Sequence, residues 1–378
     1  MVSIFFKIFG LSILRIDGRR IGNILISSEL YLLEVIDNQR KKHNFIWIEG
    51  PVPNSFLIKI IKEKINLFPS FVAFPVYLIS KKIKIFQNLI DEKPTTCGDR
   101  DVLELLEKYP IQIGLKQKYL DQGKKILANK FDISPNSKIV CLVVRDNSYL
   151  KSHFKRMNWS YHDYRDSNIN NFKKLIGYLT SQNYYVFRMG KTANERCNLR
   201  SDKFIDYPFS DNKSDFLDIY LSYRCQFCIT TSAGIDSIAY VARKPMLFLN
   251  LAPLNFFWSF SKRNMISFKW YYSKYHKKIL SFKEIYKLGY DSFSQKNEFE
   301  KYNLSLIELN EDELLSIIKE FHNYLEISFN KDKNYEKYNL FAYELIKSFN
   351  KQHLHSKEIR SLFAIDHFEQ RKMNNFFE

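Results

Sequence analysis

Short apolar runs alternate with helix-periodic stretches along most of the chain. Ser12–Asp17 reads as a strand, Gly18–Asn23 as a turn, and Ile24–Ile36 as a helix with apolar residues at helical spacing. Phe45–Glu49 is a second strand, stopped by the breakers Gly50-Pro51-Val52-Pro53. Asn54 then suits the cap of a helix running to about Asn66. Phe71–Ile79 is a further strand candidate, and Asp99–Tyr109 and Leu115–Asn129 read as helices. The polar stretch Phe131–Ser137 precedes the wholly apolar Ile139–Val144, so a domain boundary is expected there, between 1–134 and 135–335.

The second half has the more regular cadence. Strands are expected at Ile139–Val144, Tyr184–Met189, Lys203–Ile205, Phe227–Thr231 and Pro245–Asn250. The helices among them are Ile169–Gln182, Asp215–Arg224 and Ile235–Ala242. Strand–loop–helix repetition implies an α/β fold with a mostly parallel, doubly wound sheet, whose ligand crevice lies beyond the carboxyl ends of the strands. From about Glu311 the chain is charged and helix-periodic, and 336–378 is expected to be a helical tail.

Length fits this division, since 378 residues suit two domains better than one. Hydrophobic content of 45% and charged content of 26% leave ample core. The net charge of +17 raises the question of nucleic acid, but no recognition motif accompanies it. Lys, Asn, Ile, Phe and Tyr are abundant together, as AT-rich coding favours. Phosphates or an anionic membrane surface fit the charge better than nucleic acid.

The five cysteines Cys97, Cys141, Cys197, Cys225 and Cys228 are odd in number and scattered, which points to a reducing, cytoplasmic setting. Cys225 and Cys228 lack a second pair at zinc-binding distance. The apolar stretch Met1–Ile16 is too short and too broken to span a membrane. It reads either as a lead-in to the first strand or as a segment touching the inner membrane.

Four groups of residues carry candidate chemistry. Thr231-Ser232-Ala233-Gly234 ends an apolar strand and opens a helix, where free N–H groups and close backbone approach suit a pyrophosphate. Arg145 with Asp146, Arg188 with Gly190, and Asp206 with Tyr207 follow successive strands. Cations there can neutralise a diphosphate without a metal, while an Arg145–Asp146 ion pair is the structural alternative. His162-Asp163-Tyr164-Arg165 offers a base beside a phosphate ligand, or merely a helix cap. Arg20, Gly22 and Asn23, with Glu29 beyond them, occupy the first strand–helix turn. That turn suits an acceptor, donor phosphates or an ordinary helix start.

Other patterns weigh less. Asp99-Arg100-Asp101 matches a metal-binding D-x-D string but opens a helix, where carboxylates cap. His353-Leu354-His355 lacks a third ligand. The aromatic residues Phe256, Phe257, Trp258 and Phe260 suit core packing as well as sugar stacking.

In their order and spacing these residues resemble a family of bacterial glycosyltransferases encoded with surface-polysaccharide genes. The matching pieces are Arg20-Ile21-Gly22 with Glu29, Val144-Arg145-Asp146 with Tyr149, and His162-Asp163-Tyr164-Arg165. They continue with Arg188-Met189-Gly190, Asp206-Tyr207, Ser214-Asp215 with Asp218, and Thr231 to Asp236, so that roughly Arg19 to Asn250 is covered. The resemblance implies two Rossmann-like domains facing a cleft, a GT-B-like arrangement, with acceptor in the N-terminal half and nucleotide-sugar donor in the C-terminal half. On this reading Arg145, Arg165, Arg188 and the Ser232–Gly234 turn hold the donor's phosphates. Asp206, Tyr207 and Ser214 meet base and ribose, and His162, Asp163 or Glu29 takes the acceptor's proton. No cofactor or metal is expected. The partners expected are the donor, a glycan or lipid-linked glycan acceptor, and peripherally the inner membrane. A non-hydride nucleotide-sugar epimerase and a non-catalytic glycan- or membrane-binding scaffold are the alternatives.

Overall fold

A computed structural model of the chain describes residues 2–92, 100–153, 158–326, 354–356 and 359–368. The first elements are helix α1 (Val2–Ile8), strand β1 (Ile13–Asp17), α2 (Ile21–Ile36), β2 (Phe45–Glu49), α3 (Ser55–Lys62), α4 (Ser70–Lys82) and β3 (Ile90–Glu92). Strands β1 to β3 form a parallel sheet in the order β2-β1-β3. Two helices, α5 (Leu105–Lys108) and α6 (Gln117–Phe131), lead to the larger unit.

That unit runs β4 (Lys138–Val143), α7 (Ser148–His153), α8 (Lys173–Ser181), β5 (Tyr184–Arg188), β6 (Phe204–Asp206), α9 (Asp215–Arg224), β7 (Phe227–Thr230), α10 (Ser237–Val241), β8 (Met246–Leu251) and β9 (Asn264–Phe268). These strands are parallel and lie in the order β6-β5-β4-β7-β8-β9. Counted from β4, that is third, second, first, fourth, fifth, sixth: the doubly wound dinucleotide-fold order, whose crevice opens between the first and fourth strands. An antiparallel excursion follows: β10 (Trp270–Ser273), β11 (Lys278–Ile279), α11 (Phe282–Lys287), α12 (Lys296–Lys301) and β12 (Leu304–Ile307). Helix α13 (Glu311–Glu326) packs on α8. Most of the expected tail, 336–378, lies outside the described residues. Its described part adds β13 (Leu362–Phe363) beside β9.

Several expectations change. The stretch read as a strand at Phe71–Ile79 is helix α4, which buries Ala73, Val76 and Ser80 at helical spacing. Its Phe, Val, Ile and Tyr content resembles a strand, and its solvent face is apolar too, which hides the period. Helix α1, absent from the expected elements, precedes β1. Of Asp99–Tyr109 only Leu105–Lys108 is helical; Asp99 and Cys97 lie outside the described residues. Asp101 accepts from the Leu105 and Leu106 N–H groups at 2.7 and 2.9 Å, the capping role expected of it. The excursion β10–β12 is not among the expected elements; its strands are only 4, 2 and 4 residues long, too short for a period to stand out.

The two parallel sheets share one core, which runs from Leu14 to Phe368. Polar ties cross between them. The Asn54 side chain caps α3 at Leu57 N (2.8 Å) and donates to the Asp215 carbonyl (2.9 Å), while the Asp215 carboxylate accepts from Ser55 N and Oγ, both at 2.7 Å.

Candidate functional site

The site begins where β4 and β7 end side by side. Thr231 N donates to the Val143 carbonyl (2.9 Å), and Arg145 N donates to Thr231 Oγ1 (2.8 Å), which locks the two strand ends together. The chain then turns through Ser232, whose φ of 64° is left-handed. A buried carboxylate fixes this turn: Asp236 Oδ2 accepts from Thr230 Oγ1 (2.6 Å) and Ala233 N (3.0 Å), and Thr230 Oγ1 accepts from Ser232 N (2.9 Å). Burial raises the Asp236 pKa to about 6, against the lowering effect of its hydrogen bonds. Two of the N–H groups expected for a phosphate are thus taken by protein oxygens.

The glycine that close packing requires is Gly22 rather than Gly234, where a Cβ would meet Gly22 N at an ordinary 3.5 Å. The φ of Gly234 is not positive, and its close neighbour is the start of α2. A Cβ built on Gly22 would lie 2.9 Å from the Gly234 carbonyl oxygen and 3.1 Å from its Cα. The missing side chain of Gly22 lets helix and turn touch backbone to backbone.

Beside this contact lies a cleft of about 310 Å³ between the two units. Arg20, Gly22 and Asn23 line it from one side; Arg145, Asp146, His162, Arg165, Gly190, Ser232, Ala233 and Gly234 line it from the other. Arg165 Nη2 donates to the Ser232 carbonyl (3.2 Å) and Oγ (3.3 Å). The largely buried Arg145 pairs with Asp166 and donates to the His162 carbonyl (3.2 Å). Burial, and then Arg165, lowers the Arg145 pKa to about 10. The exposed Arg20 guanidinium lies 5.5 Å from the Trp159 ring centre. His162 feels all three: burial first, then Arg165, Arg145 and Arg20, lowers its pKa to about 4, and its Nδ1 is buried without a hydrogen-bond partner. The arrangement is a cationic cleft holding a neutral imidazole.

Other residues expected to meet ligand have partners within the protein. Arg188 is buried, paired with Asp206 (3.2 Å) and Asp146 (3.7 Å), and donates to the Glu195 carbonyl (2.7 Å). Asp146 therefore pairs with Arg188, not Arg145. Asp206 also accepts from Cys197 N (2.9 Å). The fully buried Tyr207 donates to the Ser214 carbonyl (3.3 Å) and accepts from Ser214 N (3.0 Å), while Ser214 Oγ caps α9 at Leu217 N (3.2 Å). None of Asp206, Tyr207 and Ser214 lines the cleft.

Glu29 is buried and accepts from Gln112 N (3.0 Å), Ile113 N (2.8 Å) and Arg243 Nη2 (3.0 Å), so most of its acceptor capacity is taken within the protein. Asp163 accepts from Asn147 Nδ2 (3.2 Å) and faces a neighbouring cavity of about 560 Å³ rather than the cleft. Sequence reasoning missed Asp166 and Lys269 in that cavity. Burial lowers the Lys269 pKa to about 8, and the signal available was a lysine within the run Phe268-Lys269-Trp270. Among the described residues no group of three or more His, Cys, Asp or Glu is arranged to hold a metal, and no helix is long and apolar enough to cross a membrane.

No protein-family model and no curated protein matches the chain. Solved structures that it resembles include the E. coli ADP-heptose LPS heptosyltransferase II, at 12% identity over 64% of this chain and 86% of that one, with a TM-score of 0.39. A glycosyl transferase family 9 protein from Veillonella parvula DSM 2008 gives 12%, 64%, 80% and 0.37 in the same order. The S. aureus MnaA–UDP structure gives 10%, 85%, 99% and 0.28. At such scores these are distant likenesses, and it is the strand order that establishes the doubly wound unit.

Proposed function

We propose that the protein is a glycosyltransferase that moves a sugar from a nucleotide-sugar donor to a glycan or lipid-linked glycan of the cell surface. It would act in the cytoplasm, at the inner face of the membrane. One observation carries this reading: Arg20, Arg145 and Arg165 converge on a cleft at the switch point of a doubly wound sheet, where such folds bind nucleotides. Guanidinium groups fixed there stabilise the negative charge that builds on a departing nucleotide phosphate, and they do so without a metal ion. The neutral imidazole of His162 lines the same cleft and would take the proton of the acceptor hydroxyl.

The test is to incubate the pure protein with UDP-, ADP-, CDP- and CMP-sugars, with and without membrane extract, and to measure nucleotide release. Release that requires extract and persists in EDTA is the expected result. Arg165→Ala should raise the donor KM roughly tenfold or more, the worth of one charge-assisted contact. Donor isomerisation with no acceptor present would replace transfer by epimerisation. No nucleotide binding at all would leave a scaffold.

A further inference from the structure

Beside the larger core lies a small second one, in which Phe6 of α1 and Ala73 and Val76 of α4 cover Trp47, Leu89 and Ile90. The Lys7 ammonium group donates to the Ile85 carbonyl (3.1 Å) and ties α1 to the turn after α4. A surface helix that buries one apolar stripe ordinarily turns a polar stripe to water. Here the outward residues are apolar as well: Ile8 is 73% exposed, Phe9 62%, Phe71 81% and Ile85 62%, with Phe5 and Phe74 about half exposed. Phe5 and Phe9 pack with tilted rings at 4.5 Å between ring centres, so the apolar residues gather rather than scatter. An exposed apolar cluster of this kind marks a surface that meets another phase or molecule.

Charge says which. No Asp or Glu occurs in residues 1–16 or 64–90, although the chain has 41 of them, and Lys7, Lys81, Lys82 and Lys84 stand among the apolar side chains. A second copy on this face would set lysine against lysine with no carboxylate between them. An anionic bilayer answers both features, with acyl boundary for Phe and Ile and headgroup phosphate for Lys. We propose that the outer face of α1, α4 and the following turn is the surface by which the protein lies on an anionic lipid bilayer. This deepens the reading above by naming the surface and the lipid class. Its test reads binding rather than sugar transfer, so the two fail separately.

Co-sedimentation of the full chain with phosphatidylcholine vesicles, with and without phosphatidylglycerol, is the experiment. Phosphatidylglycerol should tighten binding at least about tenfold. Joint Phe71→Glu and Ile85→Glu substitution should abolish most of it without lowering the melting temperature, since both side chains are exposed. Joint Lys81→Gln, Lys82→Gln and Lys84→Gln substitution leaves the apolar residues intact and should weaken binding roughly fivefold per lysine. The proposal is overturned if the parent stays in the supernatant with phosphatidylglycerol vesicles, or if the lysine variant sediments like the parent. A concentration-dependent dimer that Phe71→Glu disperses would overturn it too, by giving the face to a second copy.

Discussion

His162 is the residue whose setting says most about the cleft. Burial and the nearby Arg165, Arg145 and Arg20 hold its pKa near 4, so the imidazole is neutral at physiological pH. A diphosphate entering the cleft would cancel the arginine charges and leave burial as the main depressing cause. A nucleoside diphosphate should therefore raise the His162 pKa by about one unit or more, read from its ring resonances in an NMR pH titration. Arg165→Ala should raise it without any ligand. A midpoint unmoved in both experiments would remove His162 from the phosphate site. The same physics explains why single residues were the least legible part of the sequence. An Arg or Glu at a strand or helix end looks alike whether its partner is a ligand or the protein. What decides for Arg188 is Asp206, and for Glu29 it is Arg243, far along the chain. His162, Arg165 and Ser232 met at the cleft because the loops that carry them follow adjacent strands, a proximity that follows from strand order.

Among the elements, the Thr230–Asp236 turn makes the sharpest prediction. Asp236 has its pKa raised from 3.8 to about 6. A raised carboxyl contributes stability that is complete below about pH 4 and is lost as pH climbs through about 6. Asp236→Asn keeps an oxygen for Thr230 and Ala233 but cannot ionise. The variant should match the parent near pH 4 and exceed it near pH 8 by ~1–3 kcal/mol, measured by denaturant unfolding at both pH values. An offset that does not change with pH would mean that the buried carboxyl is not what titrates. Elements were more legible than residues, for a related reason. Strands β1, β2, β4 and β7 are largely apolar runs with breakers or hydroxyl residues at one end, and α9 opens on a Ser cap followed by acidic residues, so local chemistry suffices. Helix α4 failed the same reading because both of its faces are apolar, leaving no period to detect. The feature that misled the sequence reading is the one that marks the proposed membrane face.

At the scale of the molecule, two parallel sheets flanking a cleft would ordinarily mean two domains that move and melt apart. This interface is closer to a core. Glu29 and Arg243 pair across it in near-complete burial, Gly22 meets Gly234 backbone to backbone, and the apolar cluster is continuous through both units. The parent should therefore unfold in one calorimetric transition, with van't Hoff and calorimetric enthalpies in agreement. Arg243→Ala leaves the Glu29 carboxylate buried beside two N–H donors but without its cation, which costs about 3–5 kcal/mol at the interface. Its endotherm should broaden or split, with the smaller unit melting first. Gly22→Ala attacks the same interface sterically, since its new methyl meets the Gly234 carbonyl oxygen at 2.9 Å and one backbone must move. If the interface couples the two units, both variants loosen it by unrelated means, and both should uncouple the melting of the sheets. Two transitions in the parent would refute the single core outright. One transition in all three proteins, with unchanged melting temperatures, would show that the ion pair and the glycine contact do not hold the units together.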